Sequence, residues 1–306
     1  MRLLAARKLT RLLSDRAEFN IPFSGLTTWK VGGPAWCLCR LHSREEAKAA
    51  LAILADSGVP FMVLGNGSNL LVSDLGYEGA VLKLEGRLAA LEVKNDLISA
   101  GGGVLLGQAL RESAQAGLSG LEWAAAIPAS LGGAIAMNAG SMGQNIGSVL
   151  ERVDLLLSNG DVVTLERDSL PPFAYRKSNL PPASIVLGAK LKLRPGSAWS
   201  VRRNIAANTR LKRQRFPFNY PNAGSVFMNP EGDYAGRLIE SAGLKGKRWG
   251  NAQISDVHGN FIVNMGAAKA DDIYRLIVMA RDTVKEKFGI SLDLEIKLIG
   301  YVEPET

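Results

Sequence analysis

The chain has 306 residues, 36 Lys+Arg against 29 Asp+Glu, a formal charge of +7 and 2 cysteines. Its 47% hydrophobic and 21% charged residues exclude a mainly disordered chain, and its length favours two or three domains over a single core. No apolar run approaches the roughly 18 residues of a membrane span. Arg2, Arg7, Lys8, Arg11, Asp15 and Arg16 interrupt any signal-peptide core. The expectation is a soluble, cytoplasmic protein with no membrane partner.

In chain order, Leu3, Leu4, Leu9, Leu12 and Leu13 among basic residues predict a short amphipathic helix. A second helix follows Ser43, with Ala47, Leu51 and Leu54 on one face and Glu45 and Glu46 in its first turn; Gly58 and Pro60 end it. An apolar strand, Phe61 to Leu64, leads into Gly65-Asn66-Gly67-Ser68-Asn69 and a second apolar run, Leu70-Leu71-Val72. Strand-like pieces at 81–84 and 97–100 precede Gly101-Gly102-Gly103, then a helix from about Leu106 to Ala116, stopped by Gly117. Strands are expected at 153–157 and 162–165, joined by the hairpin signal Asn159-Gly160, and at 185–193. After Pro195 comes a basic helix. Leu238, Ile239 and Ala242 predict a helix ending at Gly243, and Ile273 to Phe288 a longer one. The chain closes on a predicted strand with Leu292, Leu294, Ile296 and Leu298 on one face and Asp293, Glu295 and Lys297 on the other. The order reads as mixed α+β.

Scarce residues narrow the chemistry. Cys37 and Cys39, two apart in an apolar stretch, read as buried structural thiols on one strand face. With only His42 and His258 as imidazoles, a His-rich metal site has little support, and no metal is expected. Neither a Gly-x-Ser-x-Gly elbow nor a phosphate loop ending in Gly-Lys-Ser/Thr occurs. The basic cluster Arg194, Arg202, Arg203, Arg210, Lys212, Arg213 and Arg215 has only Trp199 and Phe216 as nearby aromatics. It reads as a solvated helix face, with a phosphorylated small molecule and then nucleic acid as alternatives.

Gly65-Asn66-Gly67-Ser68-Asn69 is either an ordinary turn or a turn whose backbone N–H groups meet a diphosphate. It lacks the third glycine of the dinucleotide fingerprint. Gly132-Gly133 and Asn138-Ala139-Gly140 sit where larger residues would fill a core better, which leaves room for a flat ligand. Two such segments make a large phosphate-bearing cofactor a serious reading. Tyr175-Arg176-Lys177-Ser178 is an exposed charged loop or an Arg poised for a carboxylate. Ser225 is a turn hydroxyl or a reactive one, and Glu295 a solvent-facing carboxylate or a site residue.

Together, Gly-Asn-Gly-Ser-Asn-Leu-Leu at 65–71, Met-Asn-Ala-Gly at 137–140, Tyr-Arg-Lys-Ser at 175–178 and Ala-Gly-Ser-Val-Phe at 223–227 resemble the UDP-N-acetylenolpyruvoylglucosamine reductase (UDP-N-acetylmuramate dehydrogenase) family, in its shorter subtype. The resemblance runs from Thr27 to Gly300. It implies a three-domain flavoprotein: a two-domain FAD-binding unit of the vanillyl-alcohol-oxidase (PCMH) type and a C-terminal α+β substrate domain. The implied boundaries are 1–80 with 295–306 returning to it, 81–200, and 201–294. It implies FAD as cofactor, NADPH as hydride-donating co-substrate and a UDP-sugar substrate. Arg176, Ser225 and Glu295 are the implied catalytic residues. Gly65, Asn66, Gly67, Ser68, Asn69, Leu70, Gly133, Ala134, Asn138 and Gly140 are the implied FAD contacts, and Tyr175, Arg215, Asn229 and Asn260 the implied substrate contacts. A flavin oxidase of the same cofactor fold and a non-catalytic nucleic-acid binder are the alternatives, with the basic charge assigned to small anionic ligands and no nucleic acid expected. Oligomeric state is not read from the sequence, with a monomer as the working expectation. Three residues depart from the family pattern: Ala129 for a usual Gly, Phe216 for Gln and Met228 for Lys.

Overall fold

The computed structural model describes residues 1–301. They form two compact units: residues 1–19, 37–66 and 79–211, and residues 20–36, 67–78 and 212–301.

The first unit opens on α1 (Arg2–Leu13), which buries Ala5, Leu9 and Leu13. Next is α2 (Arg44–Asp56), whose N-terminus is capped by Ser43 Oγ accepting from Glu46 N–H at 3.2 Å. The strand Phe61–Val63 pairs in parallel with 80–82, in a sheet whose strand order is 17–22, 34–41, 77–84, 61–63. Cys37 and Cys39 lie buried on one of these strands, Sγ to Sγ 3.6 Å, as free thiols. The hydrogen bond with the Cys39 thiol and desolvation push the Cys37 thiol far up, so Cys37 is chemically quiet.

A five-stranded antiparallel sheet carries the rest of this unit, ordered Val162–Glu166, Leu150–Leu156, Ile185–Lys192, Leu97–Gly101, Leu91–Lys94. The Asn159-Gly160 turn joins its first two strands as expected, with Leu156 facing Val162 and Gly160 at φ 89°. The edge strand Leu91–Lys94 was not anticipated; its alternation is only four residues long. Two helices cover the sheet, α3 (Leu106–Gln115) and α4 (Leu131–Ala136). Their apolar faces join Trp123, Ile98, Leu191 and Leu193 in one core. The basic α5 (Ala198–Arg215) then carries the chain out of this unit.

In the second unit, α6 (Ala235–Ser241) and α7 (Ala270–Phe288) pack with a three-stranded sheet of Arg248–Trp249, Ala252–Ile254 and Ile262–Asn264. Trp29, fully buried, donates its indole N–H to Ile262 O at 2.7 Å, and Asn264 returns a bond to Trp29 O at 2.9 Å. That pair ties the Thr27–Val31 segment into the core.

The closing strand differs from the expectation. Only Lys297–Ile299 is a strand, paired in parallel with Leu70–Val72. Upstream, Leu294 forms a single bridge to Phe227. The alternation is real, since Leu292 and Ile296 are buried and Asp293 and Lys297 exposed. The segment changes partners midway, and a ladder shared between two partners does not register as one strand.

Candidate active site

The first unit contains a cavity of about 350 Å³ lined by Gly65, Asn66, Gly102, Gly103, Ser130, Gly132 and Gly133, with Lys83, Glu85 and Ser184 as polar wall residues. Its size is within the range of small-molecule sites. The local sequence explains its shape. In Leu131-Gly132-Gly133-Ala134-Ile135-Ala136, Leu131, Ala134 and Ile135 face the core, while Gly132, Gly133 and Ala136 line the cavity. Ser130 starts this helix, its Oγ accepting from Gly133 N–H at 3.2 Å. Gly132 N–H donates to Gly102 O at 2.8 Å, so two glycine segments run backbone against backbone. A Cβ on Gly102 would collide with Val186 O, and one on Gly65 with Ser130 Oγ. Asn66 Nδ2 donates to Pro128 O at 2.8 Å, closing the same wall. The cavity is therefore walled largely by backbone that side chains could not approach, which suits a flat ligand bearing phosphates.

The Gly-Asn-Gly-Ser-Asn turn divides its residues. Gly65 and Asn66 line that cavity, whereas Gly67, Ser68, Asn69 and Leu70 belong to the second unit. There Gly67, at φ 64°, packs on Leu26 and Thr27 with no room for a Cβ, and Ser68 is half-buried. Asn69 Nδ2 donates to Glu295 O at 3.0 Å, its own carbonyl accepts from Lys297 N–H at 3.0 Å, and Leu70 pairs with Lys297.

Met-Asn-Ala-Gly turns away from the glycine face. Ala134 buries its methyl in the core. Asn138, 5% exposed, donates its amide to Ala174 O at 2.7 Å and accepts from Gly147 N–H at 3.3 Å. Gly140 O accepts from Arg176 Nη1 at 3.2 Å. Both motif residues thus hold the Tyr175-Arg176 turn. That turn is closed by reciprocal bonds between Ala174 and Lys177, and Arg176 occupies φ 56°. Its guanidinium lies 5.1 Å from the ring centroid of exposed Tyr175.

In the second unit the backbone brings Val226, the neighbour of Ser225, against Glu295. Glu295 N–H donates to Val226 O at 2.9 Å, and Met228 N–H to Asp293 O at 2.8 Å. Asn260, 3% exposed, grips the same segment: its Oδ1 accepts from Phe227 N–H at 2.9 Å and its Nδ2 donates to Phe227 O at 2.8 Å. His258 Nδ1 in turn accepts from Asn260 N–H at 3.1 Å. Burial holds the His258 pKa below its usual value. Asn229 Oδ1 accepts from Ala235 N–H at 3.1 Å at the start of α6, and Arg215 ends α5 exposed.

The solvated-face reading of α5 holds for Arg202, Arg203, Arg210, Arg213 and Arg215 but not for Lys212, which is 4% exposed. Burial pulls its ammonium down to about 8. Within a run of exposed basic residues, nothing local distinguishes the one that tertiary contacts cover. Lys83, Glu85 and Ser184 were likewise not singled out from the sequence.

The pattern described as the C-terminal domain of UDP-N-acetylenolpyruvoylglucosamine reductase matches residues 216–299, and an FAD binding domain pattern matches residues 36–166. The UDP-N-acetylenolpyruvoylglucosamine reductase of Moorella thermoacetica is 44% identical over 92% of this chain and 92% of its own length. The chain belongs to the UDP-N-acetylenolpyruvoylglucosamine reductase family. A second member from Symbiobacterium thermophilum is 39% identical over 97% of both chains. The crystal structure of the Thermus caldophilus reductase superposes with a TM-score of 0.81 at 39% identity, over 93% of this chain and 99% of that one. Wild-type Phl p 4.0202, a glucose dehydrogenase, shares the fold alone: TM-score 0.52, 16% identity, 62% of this chain and 44% of that one.

Against the reductase family pattern, two of the three departures have local explanations. The Ala129 methyl packs against the first unit's core. Phe216 stacks on Phe261 at 5.0 Å and 19°, with His258 at 5.5 Å. Met228 donates its backbone N–H to Asp293 O, which any side chain would allow, and nothing in the structure explains its Met.

Proposed function

We propose that this protein is an FAD-dependent, NADPH-using reductase that converts the enolpyruvyl ether of UDP-N-acetylglucosamine to UDP-N-acetylmuramate in peptidoglycan synthesis. The carrying observation is the backbone pairing of the Ser225 segment with Glu295 in a chain 44% identical to a protein of that name. The backbone-walled cavity fits the cofactor, with Gly65, Asn66, Ser130, Gly132 and Gly133 as the residues that would hold it. When bound, FAD would supply the two-electron chemistry that relays hydride from NADPH to C3 of the enolpyruvyl group.

The chain's own residues handle charge and the proton. Hydride arriving at C3 leaves C2 electron-rich, with negative charge shared into the carboxylate. Arg176 neutralises that carboxylate, and Glu295 polarises the same group. Ser225 donates its hydroxyl proton to C2. A serine hydroxyl is a weak acid, and it suits a strongly basic carbanion-like centre of this kind. The three-domain division, with boundaries near residues 80 and 200, belongs to the same proposal, as does a cytoplasmic location.

A visible spectrum and half-reaction kinetics test it. The purified protein should carry or bind flavin, and its NADPH oxidation should need the enolpyruvyl nucleotide as acceptor. Ser225→Ala should leave flavin reduction by NADPH within about threefold while lowering reoxidation by the enolpyruvyl nucleotide by roughly 10² or more. Equal loss in both half-reactions would make Ser225 structural. Comparable turnover with oxygen alone would instead favour an oxidase of the same fold.

A further inference from the structure

We propose that Asn138 is a positioning residue for Arg176, holding the Arg-bearing turn to the helix that walls the cavity. The inference rests on the role given to Arg176 above, and it departs from the family-based expectation that Asn138 contacts FAD.

Arg176 stands at the third position of a four-residue turn, Ala174 to Lys177, where a positive φ favours Gly or Asn. An Arg at φ 56° costs about 1 kcal/mol and persists only where its surroundings determine the conformation. Residues 171–184 form no helix or strand apart from the single bridge that closes this turn. Hydrogen bonds from the Asn138–Gly140 segment reach the turn at two places: Asn138 Nδ2 donates to Ala174 O at 2.7 Å, and Gly140 O accepts from Arg176 Nη1 at 3.2 Å.

Asn138 is built to hold. It lies just past α4, with its N–H on Ile135 O at 3.1 Å and the next N–H, of Ala139, on Ala134 O at 2.7 Å. Its own φ is 41°, a region that Asn tolerates better than other side chains. The amide oxygen accepts from Gly147 N–H, so the side chain is fixed at both ends and 5% exposed. The opposite end of α4 carries Gly132 and Gly133 on the cavity wall. One short helix therefore relates the cavity to the turn, and Asn138 transmits that relation to Arg176. Misplacing a charged group by about 1 Å can cost roughly 10²-fold in rate.

Asn138→Gly is the clean perturbation, because it keeps the positive φ and removes the amide. Asn138→Asp is the second: it keeps the shape but sets a carboxylate oxygen against Ala174 O. Both should retain FAD with affinity within about threefold and be reduced by NADPH at near wild-type rate, while reoxidation by the enolpyruvyl nucleotide falls roughly 10²-fold. In an Arg176→Ala background, Asn138→Gly should add less than about threefold, since both changes remove one function. Hydrogen exchange at the Lys177 amide should accelerate in both variants, whatever the acceptor. A tenfold or greater loss of FAD affinity would make Asn138 a cofactor ligand and overturn the proposal. So would a full additional loss in the Arg176→Ala background, or unchanged exchange at Lys177. If wild-type reduced flavin is not reoxidised by the enolpyruvyl nucleotide, the reading of Arg176 itself fails, and faster Lys177 exchange then shows that the tether exists without that role.

Discussion

Gly65→Ala tests whether backbone approach shapes the cavity. Gly65 is not among the residues with positive φ, so the backbone accepts Ala without strain. The obstacle is one atom. A Cβ there collides with Ser130 Oγ, with Ser130 Cβ next at 3.3 Å and Gly133 Cα at 4.0 Å. Ser130 is 4% exposed, and its Oγ is occupied in capping Gly133 N–H at 3.2 Å. Forcing the hydroxyl aside adds an overpacking cost of about 1–3 kcal/mol to a cap loss of about 1 kcal/mol. Gly65→Ala should therefore cost about 2–4 kcal/mol, at roughly 3 °C of Tm per kcal/mol. Ser130→Ala alone should cost only the cap, about 1 kcal/mol. The double variant lacks the colliding oxygen and keeps only the 3.3 Å contact between methyl carbons, so it should be about as stable as Ser130→Ala. Urea unfolding of the four proteins measures the cycle, and FAD titration reads the cavity. A double variant as unstable as the sum of the singles would show that the loss at Gly65 does not come from Ser130 Oγ.

Ala129→Gly should leave FAD affinity within about twofold and cost about 0.5–1 kcal/mol, because its methyl packs on the core; a marked gain in FAD affinity would mean that the methyl crowds the cofactor. Asn260→Ala strands the buried N–H and C=O of Phe227 and should cost about 2–4 kcal/mol while slowing flavin reoxidation by substrate more than reduction by NADPH. Equal slowing would detach Asn260 from the Ser225 segment. Stability should fall in two stages on acidification. His258, whose pKa burial lowers, binds protons more weakly folded than unfolded, so its contribution is complete above its usual 6.5 and lost as pH falls through its lowered value. Glu46, bonded to both Arg16 nitrogens and held at about 2, contributes fully above its usual 4.5 and loses this as pH falls towards 2. Urea midpoints at pH 7.5, 5.5 and 3.5 read both stages, and Glu46→Gln should shrink the lower one, to which Asp154 and Asp233 also contribute.

Much of this protein is legible locally. Spacing alone places α2 behind Ser43, the Asn159-Gly160 hairpin and α7 as far as Phe288, because periodicity, caps and turns depend on neighbours within a few residues. The motifs at 65–71, 137–140, 175–178 and 223–227 likewise carry the family resemblance as words in the chain. What each polar group does was decided elsewhere. Asn69, Asn138 and Asn260 all read as ligand contacts, yet their amides bond to the backbone at Glu295, Ala174 and Phe227. The closing strand alternates as expected but divides its pairing between Phe227 and Leu70–Val72, and Lys212 is buried in a helix whose other basic residues face water. The physical reason is common to all of these. A side chain's chemical type is local, whereas the partner that satisfies a hydrogen bond, or the surface that covers a charge, lies 33 to 226 residues away for these three amides and exists only once the chain has folded.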